Sequence, residues 1–323
     1  MSVLFIGDLH CDKLCHRIPN FTSLVLKTLT DTINIGLERG ITDVVLCGDV
    51  FDGPNPTQDT IVELLEAISN VDCTVWLLLG NHDSANVDTH SLKITKWVSK
   101  QKDSNIRVVT EPTTLKIDGL RIWLLPHPYV EDLPKKYAFG VGHFAVDGAK
   151  SDNGFAVRTK HCPKGTWILG DFHAPQGGRS KGCKYRYVGS LTQLSFAEGE
   201  KKRVILLDDG ELESIGVRPS YRLRRKTVSS VEQLPDVSDR SVFWQIKYTS
   251  DFNFPSGWLM DNPNVVDTGP STKRKEKKAS VLLGEDSEYR TDPLKSLEPF
   301  LRKKNLEEIV IKRALKIAKE LRK

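Results

Sequence analysis

Seven side chains of metal-binding type occur in five short clusters. They are Asp8 and His10 in GDLH, Asp49 in GDVFD, Asn81 in GNHD, His143 in VGH, and Asp171 with His173 in GDFH. Carboxylate, imidazole and amide-oxygen donors suit manganese, magnesium or iron better than a thiol-rich set would. Hydrolysis of a phosphodiester needs a hydroxide at neutral pH, neutralisation of charge on the phosphoryl oxygens, and in-line placement of nucleophile and leaving group. Two divalent ions about 3.5–4 Å apart supply all three, and a carboxylate such as Asp49 can bridge them. Taken singly the clusters say little, since an aspartate at a strand end often caps a helix and GNHD alone could be a turn. Their joint occurrence in this order predicts a two-metal site for hydrolysing phosphate esters.

The elements that must position them are readable from hydrophobic period. Val3–Ile6, Val44–Cys47 and Val75–Leu79 are short apolar runs rich in β-branched residues, each ending at a glycine followed by a polar residue. Buried strands that open into loops have this form. Between them, Leu24, Leu26, Leu29, Ile33 and Leu37 fall on helical spacing before Gly40, and Ile61, Leu64, Leu65 and Ile68 repeat the pattern. The alternation predicts an α/β layered domain. From residue 106 the texture changes to closely spaced strands at Ile106–Val109, Thr114–Ile117, Leu120–Leu125, Ala138–Val141, Thr166–Leu169, Tyr185–Val188 and Arg203–Leu207. Asp118-Gly119 and Asp208–Gly210 are hairpin signals. A two-sheet β-sandwich flanked by helices is the expected core.

A linker is expected near Gly216–Ser220, then a small α+β cap in which Val242, Trp244, Ile246 and Tyr248 alternate as in a strand. Residues 269–292, rich in Pro, Ser, Thr, Lys and Glu, are expected to be flexible. Beyond them Asn305 with Glu308 can form a capping box for a helix striped by Leu306, Val310, Ala314, Ile317 and Leu321.

Composition narrows the classes. The chain of 323 residues is 39% hydrophobic and 28% charged, enough for a full core and something smaller. No apolar run approaches the ~18 residues of a membrane span, and Ser2 leads straight into a strand, so membrane insertion and export are not expected. Six scattered cysteines without a CxxC pair read as reduced thiols of a cytoplasm. His10, Cys11, Cys15 and His16 lack a second ligand pair at zinc-finger spacing. The net charge of +5 is uneven: residues 271–323 carry +7 and the rest −2. A basic tail of this kind is compatible with a polyanion or protein partner.

GDLH, GDVFD and GNHD resemble the signature of calcineurin-like metallophosphoesterases. HFAVDGAKSD (residues 143–152), GDFHAPQ (170–176) and YVGSLTQLSFAE (187–198) resemble its SbcD branch, the nuclease subunits of double-strand-break processing complexes in bacteria, archaea and phages. The likeness is specific over residues 1–210 and extends to the rest only in layout.

That resemblance implies a layered metallophosphoesterase fold with a small α+β capping domain and a C-terminal helical segment. The implied divisions are a nuclease domain at 1–216, a capping, DNA-recognition domain at 217–268, a flexible linker at 269–293 and a partner-docking helix at 294–323. It also implies that Asp8, His10, Asp49 and His173 hold one ion while Asp49, Asn81, His143 and Asp171 hold another, manganese first and magnesium as the substitute. His82 would protonate or stabilise the leaving oxygen, with Asp52 as its orienter. The family usually has Gly-His-x-His where this chain has Gly170-Asp171-Phe172-His173. An aspartate there adds a negative charge, which favours retention of the ion and makes it a poorer Lewis acid.

DNA is the implied substrate, digested 3′ to 5′ at duplex ends and endonucleolytically on single strands or hairpins, in recombination, repair or replication. Basic residues expected in loops, Arg179, Lys181, Lys184 and Arg186 and then Arg222, Arg224, Arg225 and Lys226, could contact its phosphates. The implied partner is an SbcC-type, ABC/SMC-like ATPase, reached by Leu306, Ile309, Val310, Ile317 and Leu321 laid in an apolar groove; a homodimer is a further partner state. Two other readings stay open: a protein or small-molecule phosphatase of the same superfamily, and a non-catalytic scaffold.

Overall fold

Successive side chains of a strand point to opposite faces, so the run Val3-Leu4-Phe5-Ile6, buried at every position, has to separate two cores. The computed structural model, which describes residues 2–271 apart from 86–88, 118 and 160–161, has that arrangement. In chain order it runs β1 (Ser2–Ile6), α1 (Phe21–Leu37), β2 (Ile41–Leu46), α2 (Gln58–Ser69), β3 (Thr74–Leu78), α3 (Lys93–Val98) and β4 (Ile106–Val109). Then come β5 (Thr113–Ile117), β6 (Leu120–Leu125), β7 (Phe139–His143), β8 (Gly165–Gly170), β9 (Gln176–Ser180), β10 (Cys183–Tyr187), β11 (Lys202–Asp208) and β12 (Glu211–Val217). The remaining elements are β13 (Arg222–Val228), β14 (Val242–Tyr248), α4 (Trp258–Asp261) and β15 (Val265–Pro270).

The first sheet has the order β12-β11-β1-β2-β3-β4, with β1 to β4 parallel and β11 and β12 antiparallel at one edge. The second runs β5-β6-β7-β8-β10-β9, with β6, β7, β8 and β10 parallel. Leu4, Ile6, Val44 and Leu46 face α1 and α2 and pack with Val25, Leu29, Ile33, Ile61 and Leu64. Val3, Phe5, Val45 and Leu78 face the other way and meet Ile122, Leu124, Val141 and Ile168 of the second sheet. The far face of that sheet is covered by Phe144, Val146 and Phe172, packed with Trp167 and Tyr187. The expected two-sheet sandwich flanked by helices is therefore the observed architecture.

Both helices expected between the first three strands form. α2 is capped by Thr57, whose hydroxyl accepts from Thr60 N at 3.2 Å, one of the orphan donors of a helix start. β9 and α3 were not anticipated; Gln-Gly-Gly-Arg-Ser has no apolar alternation, and β9 is a strand because β10 pairs along its whole length.

β13, β14 and β15 make a third, all-parallel sheet. Its near side joins the α1 core through Tyr221, Leu223 and Phe243. Gln193 clamps it to the loop after β10: its Oε1 accepts Leu223 N at 2.8 Å and its Nε2 donates to Leu223 O at 3.2 Å. β12 extends through Val217, so the expected linker begins inside a strand. The tail from residue 272, including Leu306, Ile309, Val310, Ile317 and Leu321, lies outside the described residues. Among the described residues no helix is long and apolar enough to cross a membrane.

Candidate metal centre

Parallel strands deliver their carboxyl-terminal loops to one end of a sheet, which is where ligand sites of α/β sheets form. Here two sheets do so side by side. β1, β2 and β3 lead into Asp8 and His10, Asp49, and Asn81, while β7 ends on His143 and β8 leads into Asp171 and His173. His10, Asp49 and Asp171 adopt positive φ angles of 42°, 49° and 90°. Left-handed backbone at a non-glycine costs on the order of 1–3 kcal/mol and persists where the surroundings enforce it. The preceding glycines have a steric cause. A Cβ on Gly48 would fall within the His143 ring, and one on Gly80 would fall on the Asp49 amide and carboxylate.

The donors meet as two overlapping groups, Asp8 with His10 and His173, and Asp8 with Asp49 and His143. Asn81 joins the second through Oδ1, 2.7 Å from His143 Nε2, and Asp49 Oδ2 lies 3.3 Å from the same nitrogen. Asp171 has its backbone N bonded to Asp8 Oδ1 at 2.9 Å, and its carboxyl senses the charges of His143, Asp8 and Asp49. His10, Asp52 and His82 form a third group beside these. Except for Asp171, whose carboxylate makes no such close contact, the expected ligands are thus brought into mutual contact.

Two observations test whether this set fits a cation. Asp8 Oδ2 and His10 Nε2 are buried without a hydrogen-bond partner, which is costly unless something electropositive or electron-poor is held there. His143 Nδ1 lies 2.8 Å from the carbonyl of Cys47, which can only accept, so Nδ1 carries the proton and Nε2 is aimed into the oxygens of Asn81 and Asp49. A backbone carbonyl fixing one nitrogen so that the other ligates is the usual support of a metal-binding histidine. The residues fit divalent cations.

The carboxylates and imidazoles of the cluster also act on one another's charge. Burial alone would raise the Asp49 carboxyl, but His143 first, then His10 and His82, hold it well below the usual carboxylate range. Burial likewise opposes charge on His143, and Asp49, Asp8 and Asp171 reverse that and raise it. Burial pushes Asp171 up to about 6, with Asp8 and Asp49 adding to the push and His143 opposing it.

His82 is exposed on the rim, its ring centroid 4.8 Å from that of His10. Its backbone N donates to Asp49 Oδ1 at 2.9 Å, and its Nδ1 sits 3.1 Å from the backbone carbonyl of Asp52. The Asp52 carboxylate is 3.9 Å from that Nδ1 and 3.0 Å from His10 Nδ1, the latter without hydrogen-bond geometry, and it also contacts Lys13. Asp52 therefore meets His82 mainly through its backbone oxygen. Burial would raise its carboxyl, but His10 and Lys13 bring it to about 2.

Three supporting carboxylates went unassigned in the sequence. Asp83, fully buried, accepts from Val50 N, Phe51 N, Gly80 N and Ser91 Oγ at 2.9–3.2 Å, stapling the Asp49 turn to the Asn81 turn. Asp152 and Glu198 both reach His173 Nδ1, at 3.2 and 3.3 Å. Glu198 is in turn held by buried Lys202 at 2.7 Å. Burial would raise Glu198, and His173 with Lys202 bring it down to about 2. Only the fourth residue of GNHD, and the ends of HFAVDGAKSD and YVGSLTQLSFAE, marked these positions.

The basic residues expected in loops lie mostly on strands. Arg179 is on β9, Lys184 and Arg186 on β10, and Arg222, Arg224, Arg225 and Lys226 on β13; Lys181 alone is in a turn. The reason is alternation: Cys183, Tyr185 and Tyr187 point inward and leave Lys184 and Arg186 on the other face. Cys183 pairs with Gly165, so the Lys181 turn sits at the end of β8 opposite Asp171. Arg224 bonds Glu200 at 3.0 Å, and Arg225 contacts Gln245.

Residues 1–198 match the family described as calcineurin-like phosphoesterase. Exonuclease subunit 1 of Enterobacteria phage T4 is 23% identical over 231 residues, the match covering 66% of this chain and 66% of the phage protein, just under two thirds of its length. A novel archaeal phosphodiesterase aligns with 67% of this chain and 100% of its own, at 15% identity and TM-score 0.37. YfcE, a phosphoesterase from E. coli, aligns with 68% of this chain and 100% of its own, at 12% identity and TM-score 0.34.

Proposed function

Because this chain belongs to the calcineurin-like phosphoesterases, we propose that it is a metal-dependent DNA nuclease subunit of the SbcD type, cutting phosphodiesters at the loop ends of its two sheets. The observation that carries the reading is the convergence of buried, partnerless donors at Asp8 and His10 with Asp49, His143 and His173. DNA as substrate is supported by the similarity to the phage exonuclease subunit. Recombination, repair or replication is the setting proposed, with 3′ to 5′ action on duplex ends and endonucleolytic action on single strands or hairpins.

Asp8, His10, Asp49 and His173 would hold one divalent ion and Asp49, Asn81, His143 and Asp171 a second, with manganese the proposed metal. Such ions supply Lewis acidity toward the phosphate and a hydroxide-strength nucleophile at neutral pH. The chain's own part is to fix donors and move a proton. Cys47 O fixes the His143 tautomer, and Asp152 with Glu198 hold His173 Nδ1. With Nδ1–H donating a hydrogen bond to Asp52 O, a His82 protonated on both nitrogens would offer the Nε2 proton to the leaving oxygen and be left as the neutral Nδ1–H imidazole.

The divisions at 1–216, 217–268, 269–293 and 294–323 are retained as proposals. So is docking of the last segment on an SbcC-type ATPase, with a homodimer as a further partner state and the cytoplasm as location. A phosphatase of the same superfamily would share these donors, since they recognise only phosphate.

The deciding experiment compares manganese-dependent cleavage of a duplex oligonucleotide with turnover of p-nitrophenyl phosphate, with and without an ATPase partner. Cleavage of the oligonucleotide well above monoester turnover is expected; monoester turnover alone would make it a phosphatase, and neither activity would leave a scaffold. A second expectation concerns the unusual ligand. Asp171→His should change manganese affinity and rate together, and unchanged values of both in a metal titration would remove Asp171 from the ligand set.

A further inference from the structure

The segment after His143 is built as a β-hairpin aimed at the metal-type cluster. Lys150 bridges Ala156, Val157 N donates to Ala149 O at 2.7 Å, and Ser151 N donates to Phe155 O at 2.9 Å. The hairpin lies along the edge strand β9 and is pinned at three heights. At its base Asp147 pairs with Lys181 at 3.1 Å. In its middle Gln176 Oε1 accepts Lys150 N at 2.8 Å while Nε2 donates to Lys150 O at 2.6 Å. At its tip Asp152 accepts His173 N at 2.9 Å and faces His173 Nδ1 at 3.2 Å.

This braced tip holds Phe155, which is 76% exposed. A single exposed phenylalanine is ordinary on a protein surface. This one stands within three residues of Asp152, about 10 Å of chain at most, on an element fixed to a candidate metal ligand. The hairpin also walls one side of a cleft of about 480 Å³, lined by Lys13, Asp152, His173, Pro175, Ser195 and Lys201. That volume lies within the range of sites that take small organic groups. An exposed aromatic ring three residues along the chain from a cleft that Lys13 and Lys201 line is what an unpaired nucleobase and its phosphates require.

We propose that Phe155 is a stacking post for one unpaired nucleobase of the strand being cut, the strand's phosphates passing through the cleft beside Lys201. This rests on the nuclease reading and adds where the strand lies and that its base must be unstacked there. Stacking has little base preference because every base offers a π face. The pinned hairpin spends little conformational entropy on binding.

The test measures equilibrium binding of a fluorescent, phosphorothioate-protected single-stranded oligonucleotide to the full chain. Phe155→Ala should bind about 5- to 150-fold more weakly, the range for losing one stacked base, and Phe155→Trp should bind as the parent does. A single abasic site walked along the strand should weaken binding to the parent at one position, and that penalty should vanish in Phe155→Ala. Equal affinities of the parent and Phe155→Ala, or an abasic penalty that survives the substitution, would overturn the stacking post while leaving the nuclease reading intact. A parent chain that neither binds nor cuts any oligonucleotide would overturn both.

Discussion

Replacing Asp49 with asparagine is expected to abolish manganese-dependent phosphodiester cleavage and to weaken manganese binding by more than about 100-fold, beyond the 10- to 100-fold typical of losing a mere supporting partner. Asp49 stands between imidazoles of both donor groups: its Oδ2 lies 3.3 Å from His143 Nε2 and 3.5 Å from His10 Nε2. An amide nitrogen turned toward those imidazoles would repel a cation and could not bridge. The fold should survive. Leu9 N and His10 N bond the Asp49 backbone oxygen at 3.0 Å, and an asparagine Oδ1 can still accept His82 N. Calorimetric manganese titration, oligonucleotide cleavage and thermal unfolding would check the three statements. Near-parental manganese affinity in Asp49→Asn would show that this carboxylate is not shared between ions.

Asp83→Ala should damage stability and activity together. It strands three backbone N–H groups and the Ser91 hydroxyl in a place with no water access. Each buried, unsatisfied donor costs about 1–3 kcal/mol, so a loss of at least about 4 kcal/mol is expected in urea unfolding. Because Asp83 joins the turn of Asp49 to that of Asn81, surviving folded protein should also bind manganese about 10- to 100-fold more weakly. Burial and the nearby Asp49 charge push the Asp83 carboxyl up, against the four donors it accepts. Asp83→Asn, which keeps the shape, should recover part of the stability but not the full set of accepted bonds. Parental stability in Asp83→Ala would mean that the two turns hold without their staple.

The ligand-type residues were legible because steric need and chemistry coincide in their motifs. Gly48 and Gly80 are glycines since neighbouring donors occupy the space of a side chain, so the sequence repeats Gly-Asp and Gly-Asn wherever a strand opens into the site. The sandwich was legible because both faces of β1 to β3 are buried, which removes alternation and leaves unbroken apolar runs. What supports the donors was not. Asp83 reaches Phe51, Glu198 reaches His173 and Gln193 reaches Leu223 across 32, 25 and 30 positions, and contacts at such separations leave no periodic trace. The basic residues of β9 and β10 were misplaced into loops for a related reason: pairing between those two strands, not any apolar pattern in β9, makes the hairpin.

The seven donor-type residues are split between layers, three loops rising from the first sheet, and the end of β7 with the loop after β8 from the second. Neither sheet alone carries a complete set. A cation bound there is therefore a rivet through the sandwich, attached only when both sheets are stacked in register. By mass action, occupancy at 100 times the dissociation constant adds about 2.7 kcal/mol to the folded state. Phosphoester chemistry and mechanical integrity would thus draw on one and the same set of contacts, and a chelator that stopped the first would also loosen the second.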